Sequence, residues 1–441
     1  MRWIKHLAIT LTILLAALLA LPFFIPLDGY LPQIEKLASD RLKEPVKIAS
    51  LSIGLLPLPH AKLTGITVGK KTDIEIGAMT LTPDIFSLFD DVKIISRLRI
   101  ENITIRQVAF EKMPRWIKAD GTPGQVKLAH LQIRGLQVHL DKSMSEPVDA
   151  DIFLADGNDL QQASVSLREG KLRVEVKPTA NSKIFTLQLA AKNWKLPLDP
   201  AIQFDALDAL GEVNLNASSL NLASINGKLY GGSLKGSAAL NWKSVWRLTG
   251  SMELAKVELQ SLVPLLAAEA KVSGKLDANS RFSASSATAG KLAHALQLDA
   301  DFKVLHGVLY NVDIAQAAKS FLKSGSRGGE TRFDTLSGHL KADAAGQHLR
   351  NLQISSGALA ASGDLDISPQ QQLKGRVTAE LKAGISLVAV PLDVSGSVKE
   401  PVLFPTKGAL AGAAAGTMLL GPMGTGLGVK AGAALEKLFG K

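Results

Sequence analysis

The side chains able to carry chemistry are thinly spread along this sequence. Eight histidines occur: His6, His60, His130, His139, His294, His306, His339 and His348. None has a second ligand at the helical or turn spacing of a metal site. Asp299 and Asp301 share one side of an alternating segment and could form the carboxylate pair of a general acid and base. Lys303 continues that side, so the trio reads as a wetted sheet face. Tyr230 and Tyr310 could donate to a ligand, but both sit in glycine-containing turns. For Tyr230 the expected role is packing over Gly227 and Gly231. No H-E-x-x-H, phosphate-binding loop or G-x-S-x-G elbow is present. The chain has no cysteine, which removes thiolate ligands, thiol nucleophiles and disulfides. Asn102-Ile-Thr and Asn216-Ala-Ser match glycosylation acceptors, a pattern common by chance. The expectation is a protein without catalytic residues, metal or cofactor, and so not an enzyme. A hydrolase with an unrecognised site is the alternative from that class.

The elements that would hold such residues are strands. In 171–177, Leu172, Val174 and Val176 share one face, with Lys171, Arg173, Glu175 and Lys177 on the other. In 296–304, Leu296, Leu298, Ala300, Phe302 and Val304 alternate with Gln297, Asp299, Asp301 and Lys303. Ile103/Ile105, Leu131/Ile133, Leu136/Val138/Leu140, Leu352/Ile354 and Val377/Ala379/Leu381 repeat the pattern. A period of two with one apolar face marks a half-buried strand. Turn residues recur between these runs. The spacing predicts an antiparallel, locally connected β protein. Short helices are expected over 31–42, 257–268 and 312–325. The segment 225–241 reads as strand, tight turn, strand, through Gly227, Leu229, Tyr230, Gly231 and Gly232. A second segment, 304–320, opens similarly through Gly307 and Tyr310. Together they suggest a repeated structural turn.

The two ends differ from the middle. Residues 7–27 are apolar and charge-free, preceded by Arg2 and Lys5 and followed by Asp28 and Glu35. About 20 apolar residues suffice for a membrane-crossing helix. The flanking charges place the N-terminus in the cytoplasm and the rest across the membrane. An uncleaved anchor is expected, ending near Leu21 to Ile25 before Pro26; a cleaved signal peptide is the competing reading. The tail, 407–441, is rich in Gly and Ala. Gly408, Gly412 and Gly416 are spaced by four, as are Gly424, Gly428 and Gly432. That spacing predicts a helical hairpin packed through its glycines. The divisions are then 1–27 cytoplasmic end and anchor, 28–50 short helix and linker, 51–210 and 211–406 β regions, and 407–441 tail. The formal charge is +10 and the pI near 9.5. The basic residues form no block with interleaved aromatics, so nucleic acid is not an expected partner.

An extended sheet must cover its apolar face with a second sheet, by closing into a barrel, or by curling into a trough. A trough would offer an apolar lining to acyl chains, which cost about 0.8 kcal/mol per CH₂ to expose to water. Leu172, Val174, Val176, Leu296, Leu298, Phe302 and Val304 are the candidate lining residues.

Several stretches resemble the AsmA family of bacterial envelope proteins. They are the anchor; 225–236, with its Leu-Tyr-Gly-Gly turn; 254–266; 305–314; and 328–368. The last contains Thr331 and Phe333, Leu336-Ser337-Gly338, Gly357, and Gly363-Asp364-Leu365-Asp366. The closing run 390–405 resembles the family as well. The resemblance is fullest over 211–406 and faint over 50–200. It implies an inner-membrane-anchored, single-pass protein with a periplasmic β-trough of the bridge-like, TamB-related lipid-transfer type. Membrane lipid, phospholipid foremost, is the implied partner, with an outer-membrane partner at the far end. A scaffold for outer-membrane protein assembly, working through strand edges, is the second reading.

Overall fold

The computed structural model describes residues 27–106, 109, 126–140, 143–155, 159–167, 170–180, 183–196, 201–267, 269–320, 326–357, 359–383, 386–420 and 424–439. The anchor expected over 7–27 lies outside these residues except for Leu27. Among the described residues no helix is long and apolar enough to cross a membrane. The chain divides into two compact units, 1–190 and 191–441.

The first unit opens with a 3-10 turn, Leu27–Tyr30, and helix α1 (Leu31–Leu42). The strands that follow are β1 (Val46–Lys47), β2 (Ser50–Gly54), β3 (His60–Val68), β4 (Ile74–Pro83), β5 (Lys93–Arg106), β6 (Val126–Leu128), β7 (His130–Leu140), β8 (Ser143–Met144), β9 (Val148–Leu154), β10 (Leu160–Leu167) and β11 (Leu172–Pro178). Strand β12 (Ile184–Leu196) contains the division between the units. Neighbouring strands pair antiparallel, with one exception. β5 pairs with β6 and β7 in parallel, so the expectation of an antiparallel sheet fails at this seam. Parallel neighbours need a connection long enough to return the chain to its starting end. α1 seals one end of the apolar face. Its Ala38 and Leu42 pack on the buried Val46, Ile66 and Val68. Leu37 on the same helix is 74% exposed.

The second unit contains β13 (Ile202–Asn214), β14 (Ser219–Leu229), β15 (Gly232–Asn241), β16 (Trp246–Glu258), helix α2 (Leu259–Leu266), β17 (Val272–Ser286), β18 (Gln297–Tyr310), helix α3 (Ile314–Lys319) and β19 (Ser326–Arg327). It continues with β20 (Glu330–Asp343), β21 (Gly346–Ser355), β22 (Leu359–Ile367), β23 (Leu373–Ala383), β24 (Ser386–Gly396), β25 (Pro401–Pro405), α4 (Lys407–Leu420) and α5 (Gly424–Phe439). Its long strands pair antiparallel with their sequence neighbours, and β20 joins β18 directly. No described pairing closes the sheet on itself.

Two sequence expectations change here. Residues 225–241 form a hairpin whose turn holds Tyr230 at φ 46° and Gly231 at φ 74°, the left-handed pair of a tight two-residue turn. Gly232 is needed for a different reason: a Cβ there would meet the Ala255 carbonyl at 2.5 Å. The Tyr230 hydroxyl takes a role the sequence did not suggest: it accepts the Gln203 N–H at 3.1 Å. Residues 304–320 do not form a hairpin. Tyr310 ends β18, 42% exposed, and the chain then enters α3 through Asp313, whose carboxylate caps the Gln316 N–H at 2.8 Å. The glycine-tyrosine turn is therefore not repeated. Leu296 also lies one residue ahead of β18, after a 3-10 turn, and is 43% exposed.

Candidate functional site: the apolar sheet faces

In the first unit the register aligns apolar side chains into rows that run across the strands. One row joins Leu51, Leu63, Met79, Ile100, Ile133, Ala150, Val165 and Val174. A second joins Ile66, Ile76, Ile103, Leu136, Val148 and Leu167. Most of the first row, including Leu63, Met79, Ile100, Ile133 and Val174, is only half-buried. Leu172 and Val176 are half-buried as well, and Val176 continues a third row through Ala163, Ile152 and Leu131.

These rows exist because several strands carry one extra residue. Ile100 and Ile103 are three apart, as are Ile133 and Leu136. In a regular strand an odd spacing puts two side chains on opposite faces. Here Asn102 (φ 52°) and Gly135 (φ 71°) take left-handed conformations and absorb the extra residue, so both neighbours keep the apolar side. Gly65 and Gly77 hold the matching positions in β3 and β4, and at these positions the register across β3, β4, β5 and β7 runs on without a shift. β9 has no extra residue, and the register shifts there. The N–H freed at Gly135 is taken by Asp149 Oδ1 at 2.7 Å.

The second unit uses the same device. Leu349 and Leu352 flank Asn351 (φ 52°), and Asp364 Oδ1 accepts its N–H at 2.9 Å. Lys256 (φ 57°) stands between Leu254 and Val257, and Asp277 Oδ1 accepts its N–H at 2.8 Å. One row runs Leu207, Gly227, Leu234, Leu254, Ala278, Phe302, Gly338. Another contains Gly250, Phe282, Leu298 and Ala342. Large rings face glycines across the ladder. A Cβ on Gly338 would lie 3.2 Å from the Phe302 ring, and one on Gly250 would collide with Phe282. Leu298 and Phe302 are half-buried, whereas Val304 is 1% exposed and belongs to the core. Leu298 and Phe302 are thus partly accessible, and Val304 on the same strand face is not.

The opposite face is polar in the same orderly way. Asn226, Lys235, Glu253, Asn279, Asp301 and His339 form a row. His339 Nδ1 meets Asp301 at 2.8 Å and Nε2 meets Asp299 at 3.6 Å, so the two carboxylates join a cross-strand charge ladder. A depression of about 380 Å³ on the sheet is lined by Lys235, Glu253, Arg281, Asp299 and Asp301, among others. No group of three or more His, Asp or Glu could hold a metal among the described residues.

Two ion-paired clips brace the extra-residue positions. Arg134 donates to both oxygens of Asp151, at 2.9 and 2.8 Å, and to the carbonyls of Ile133 and Ala150. Arg350 donates to Asp366 at 2.6 Å and to the carbonyls of Leu349 and Leu365. His130 and His348 complete the pairs, at 3.1 and 2.7 Å. Burial pushes the Asp151 carboxyl up, but bonds from Arg134, Gln132 and His130 outweigh it and hold the group below its ordinary value. His348 is the main cause of the lowering at Asp366, with Arg350 adding to it against partial burial. The Asp151 hydrogen bond raises Arg134 above its ordinary value.

Helices close one end of the second unit's apolar face. α3 packs on β23, β24 and β25, and α5 on β24. Ala317, Ala379, Leu392 and Val429 are fully or almost fully buried there. α4 and α5 meet through glycine, since a Cβ on Gly412 would lie 2.9 Å from Gly432 Cα and would strike the Gly428 carbonyl. Glu436 Oε2 ties the pair to the sheet. It accepts from the buried Thr406 hydroxyl at 2.6 Å and from the Gly408 N–H at 3.0 Å, while Arg376 lies 3.7 Å from its other oxygen.

A sequence profile of the AsmA family matches residues 124–348, just over half of the chain. The chain belongs to the AsmA family. No curated protein and no solved structure matches it. The matched span starts well ahead of residue 211, so the AsmA signal reaches into the 50–200 region where motif reading found it faint.

The AsmA-like motifs acquire physical roles in this light. Thr331, 4% exposed, accepts the Ile314 N–H at 3.0 Å and donates to the Val312 carbonyl at 2.8 Å, fixing the entry to α3. Phe333 is buried against Gly307. Asp366 is the acid of a clip, and Asp364 accepts the Asn351 N–H beside it. Sequence reading missed Asn102, Gly135, Lys256 and Asn351 as shaping residues, and Leu63, Met79, Ile100 and Ile133 as lining. The signal was present as two apolar residues three apart in an otherwise alternating run, with Asn, Gly or, at 256, Lys before the second.

Proposed function

We propose that this AsmA-family chain carries lipid, phospholipid foremost, along the apolar faces of its sheets. In this reading it is held in the inner membrane by residues 7–27, lies mostly in the periplasm and supports the outer membrane. The observation that carries the reading is the set of register-aligned apolar rows that remain half-exposed. A core would bury such side chains, and a soluble surface would not align them. The lining is chemically inert, which suits passage of acyl chains. Family membership and the open sheet are compatible with this role.

The test is photocrosslinking in cells with the full chain. Benzoylphenylalanine replaces Ile133 or Phe302 on the apolar face, or Lys235 or Glu253 on the polar face. Lipid adducts at the first pair and not the second are expected by mass spectrometry. Adducts at neither pair, with folded protein, would overturn lipid carriage. Adducts to assembly-machinery proteins instead would favour the scaffold reading.

A further inference from the structure

Five exposed apolar side chains of the first unit gather in two loops. Leu56 and Leu58, in the β2–β3 loop, are 68% and 54% exposed, and Phe86 and Phe89, in the β4–β5 loop, are 86% and 90% exposed. Leu88 adds a fifth apolar side chain, 46% exposed. Register puts both loops at one end of the sheet. Gly54 is opposite His60, Ala61 opposite Leu81, and Pro83 opposite Ile95. Two strand spacings, about 10 Å, separate the loops.

The β4–β5 loop is built to hold its rings outward. Asp84 Oδ1 accepts the N–H groups of Phe86 and Ser87, at 2.9 and 3.1 Å. Ser87 is buried, donates to the Asp84 carbonyl and accepts the Ile94 N–H at 2.9 Å. Lys93 Nζ donates to the Leu88 carbonyl at 2.8 Å. Backbone groups satisfied within the loop are what a segment needs before it can leave water.

The chain's beginning approaches from the same side. α1 runs beside β1 and β2 in the opposite sense, since Ser39 bonds the Val46 N–H and, one turn earlier, Glu35 bonds the Ile48 N–H. The turn Leu27–Tyr30 packs against β2, with Tyr30 54% exposed. Backward along the helix is forward along the strands, toward the loop bearing Leu56. The apolar, charge-free stretch 7–27 therefore joins the fold on the side of these loops.

We infer that the two loops are a bilayer-contacting surface. Leu56, Leu58, Phe86, Leu88 and Phe89 enter the boundary of the same bilayer that receives residues 7–27, and seat this end of the apolar face on lipid. The inference rests on the anchored reading above. Exposed aromatic and leucine side chains beside a membrane segment gain by burial at the headgroup level. Asp90 and Asp91 follow Phe89 directly, which limits the depth of entry and suits amine-bearing zwitterionic headgroups.

The absence of cysteine makes the test clean. Single substitutions L56C, F86C and F89C carry a nitrobenzoxadiazole label, with K71C at the opposite sheet end and L15C in the apolar stretch as references. The full chain is reconstituted in vesicles of phosphatidylethanolamine and phosphatidylglycerol, with and without nitroxide-bearing lipid. Blue-shifted emission and nitroxide quenching are expected at 56, 86 and 89, and water-like, unquenched emission at 71. Quenching at 15 without quenching at 56, 86 or 89 would overturn the loop contact and leave the anchor standing. Loop labels quenched with 15 unquenched would support the loop contact and overturn the anchor. Quenching at neither would overturn both.

Discussion

Asn351, Lys256 and Asn102 hold backbone conformations that most side chains avoid, and each sits where an apolar stripe would otherwise change sides. A β-branched residue in the left-handed region costs roughly 1–3 kcal/mol. Asn351→Val is therefore expected to lower the unfolding free energy by that amount and the urea midpoint with it, while Asn351→Gly stays close to the parent. Equal midpoints for both variants would remove the strain argument. The clip carboxylates give a second expectation at this scale. Asp151 and Asp366 titrate below their ordinary value in the folded chain. The stability they add is complete above the unfolded value, about 3.9, and is lost as pH falls through the lower folded values. Asp366 is 44% exposed, so its share is screened and smaller than that of Asp151. Asp151→Asn should flatten the acid limb of a stability–pH curve between about pH 5 and 2 more than Asp366→Asn does.

The strands and their faces were legible because period two survives in short windows such as 171–177 and 297–304. The extra residues were not, because a three-residue gap looks like the end of one strand rather than a shift within it. The parallel seam at β5 and β7 was hidden for another reason. Both strands alternate alike, and nothing in either records its direction relative to the other. The tail was the most readable element, since four-residue glycine spacing has a direct steric meaning on a helix. Its docking was not readable, because it depends on Glu436 reaching Thr406 and Gly408 from the far helix. Glu436 also places a negative charge at the positive end of α4. Gly412→Leu should separate α4 from α5 and destabilise the second unit by about 1–3 kcal/mol. Thr406→Val should raise amide exchange across 407–439 while leaving β13–β17 unchanged. Uniform protection in both variants would show that the hairpin is held by something else.

Within each unit of the molecule, the decisive property is that polar and apolar rows keep to their own sides across many strands. In the second unit the charged Lys235, Glu253, Asp299 and Asp301 lie on the polar side, opposite Leu298 and Phe302. Leu298→Asp and Phe302→Asp should abolish lipid adducts at neighbouring apolar positions. Because both side chains are only half-buried, the loss of stability should stay within about 1–3 kcal/mol. A variant that unfolds outright would mark these residues as core.

On the lipid-carrying proposal, the helix-covered end of the second unit has a kinetic consequence. A path sealed at one end fills and then stalls, so steady traffic is limited by how often the stopper lifts and not by how fast cargo diffuses behind it. In such a device occupancy and throughput part company. Loosening the Glu436 tether would leave the amount of cargo held nearly constant while quickening its release, and tightening it would turn the carrier into a reservoir.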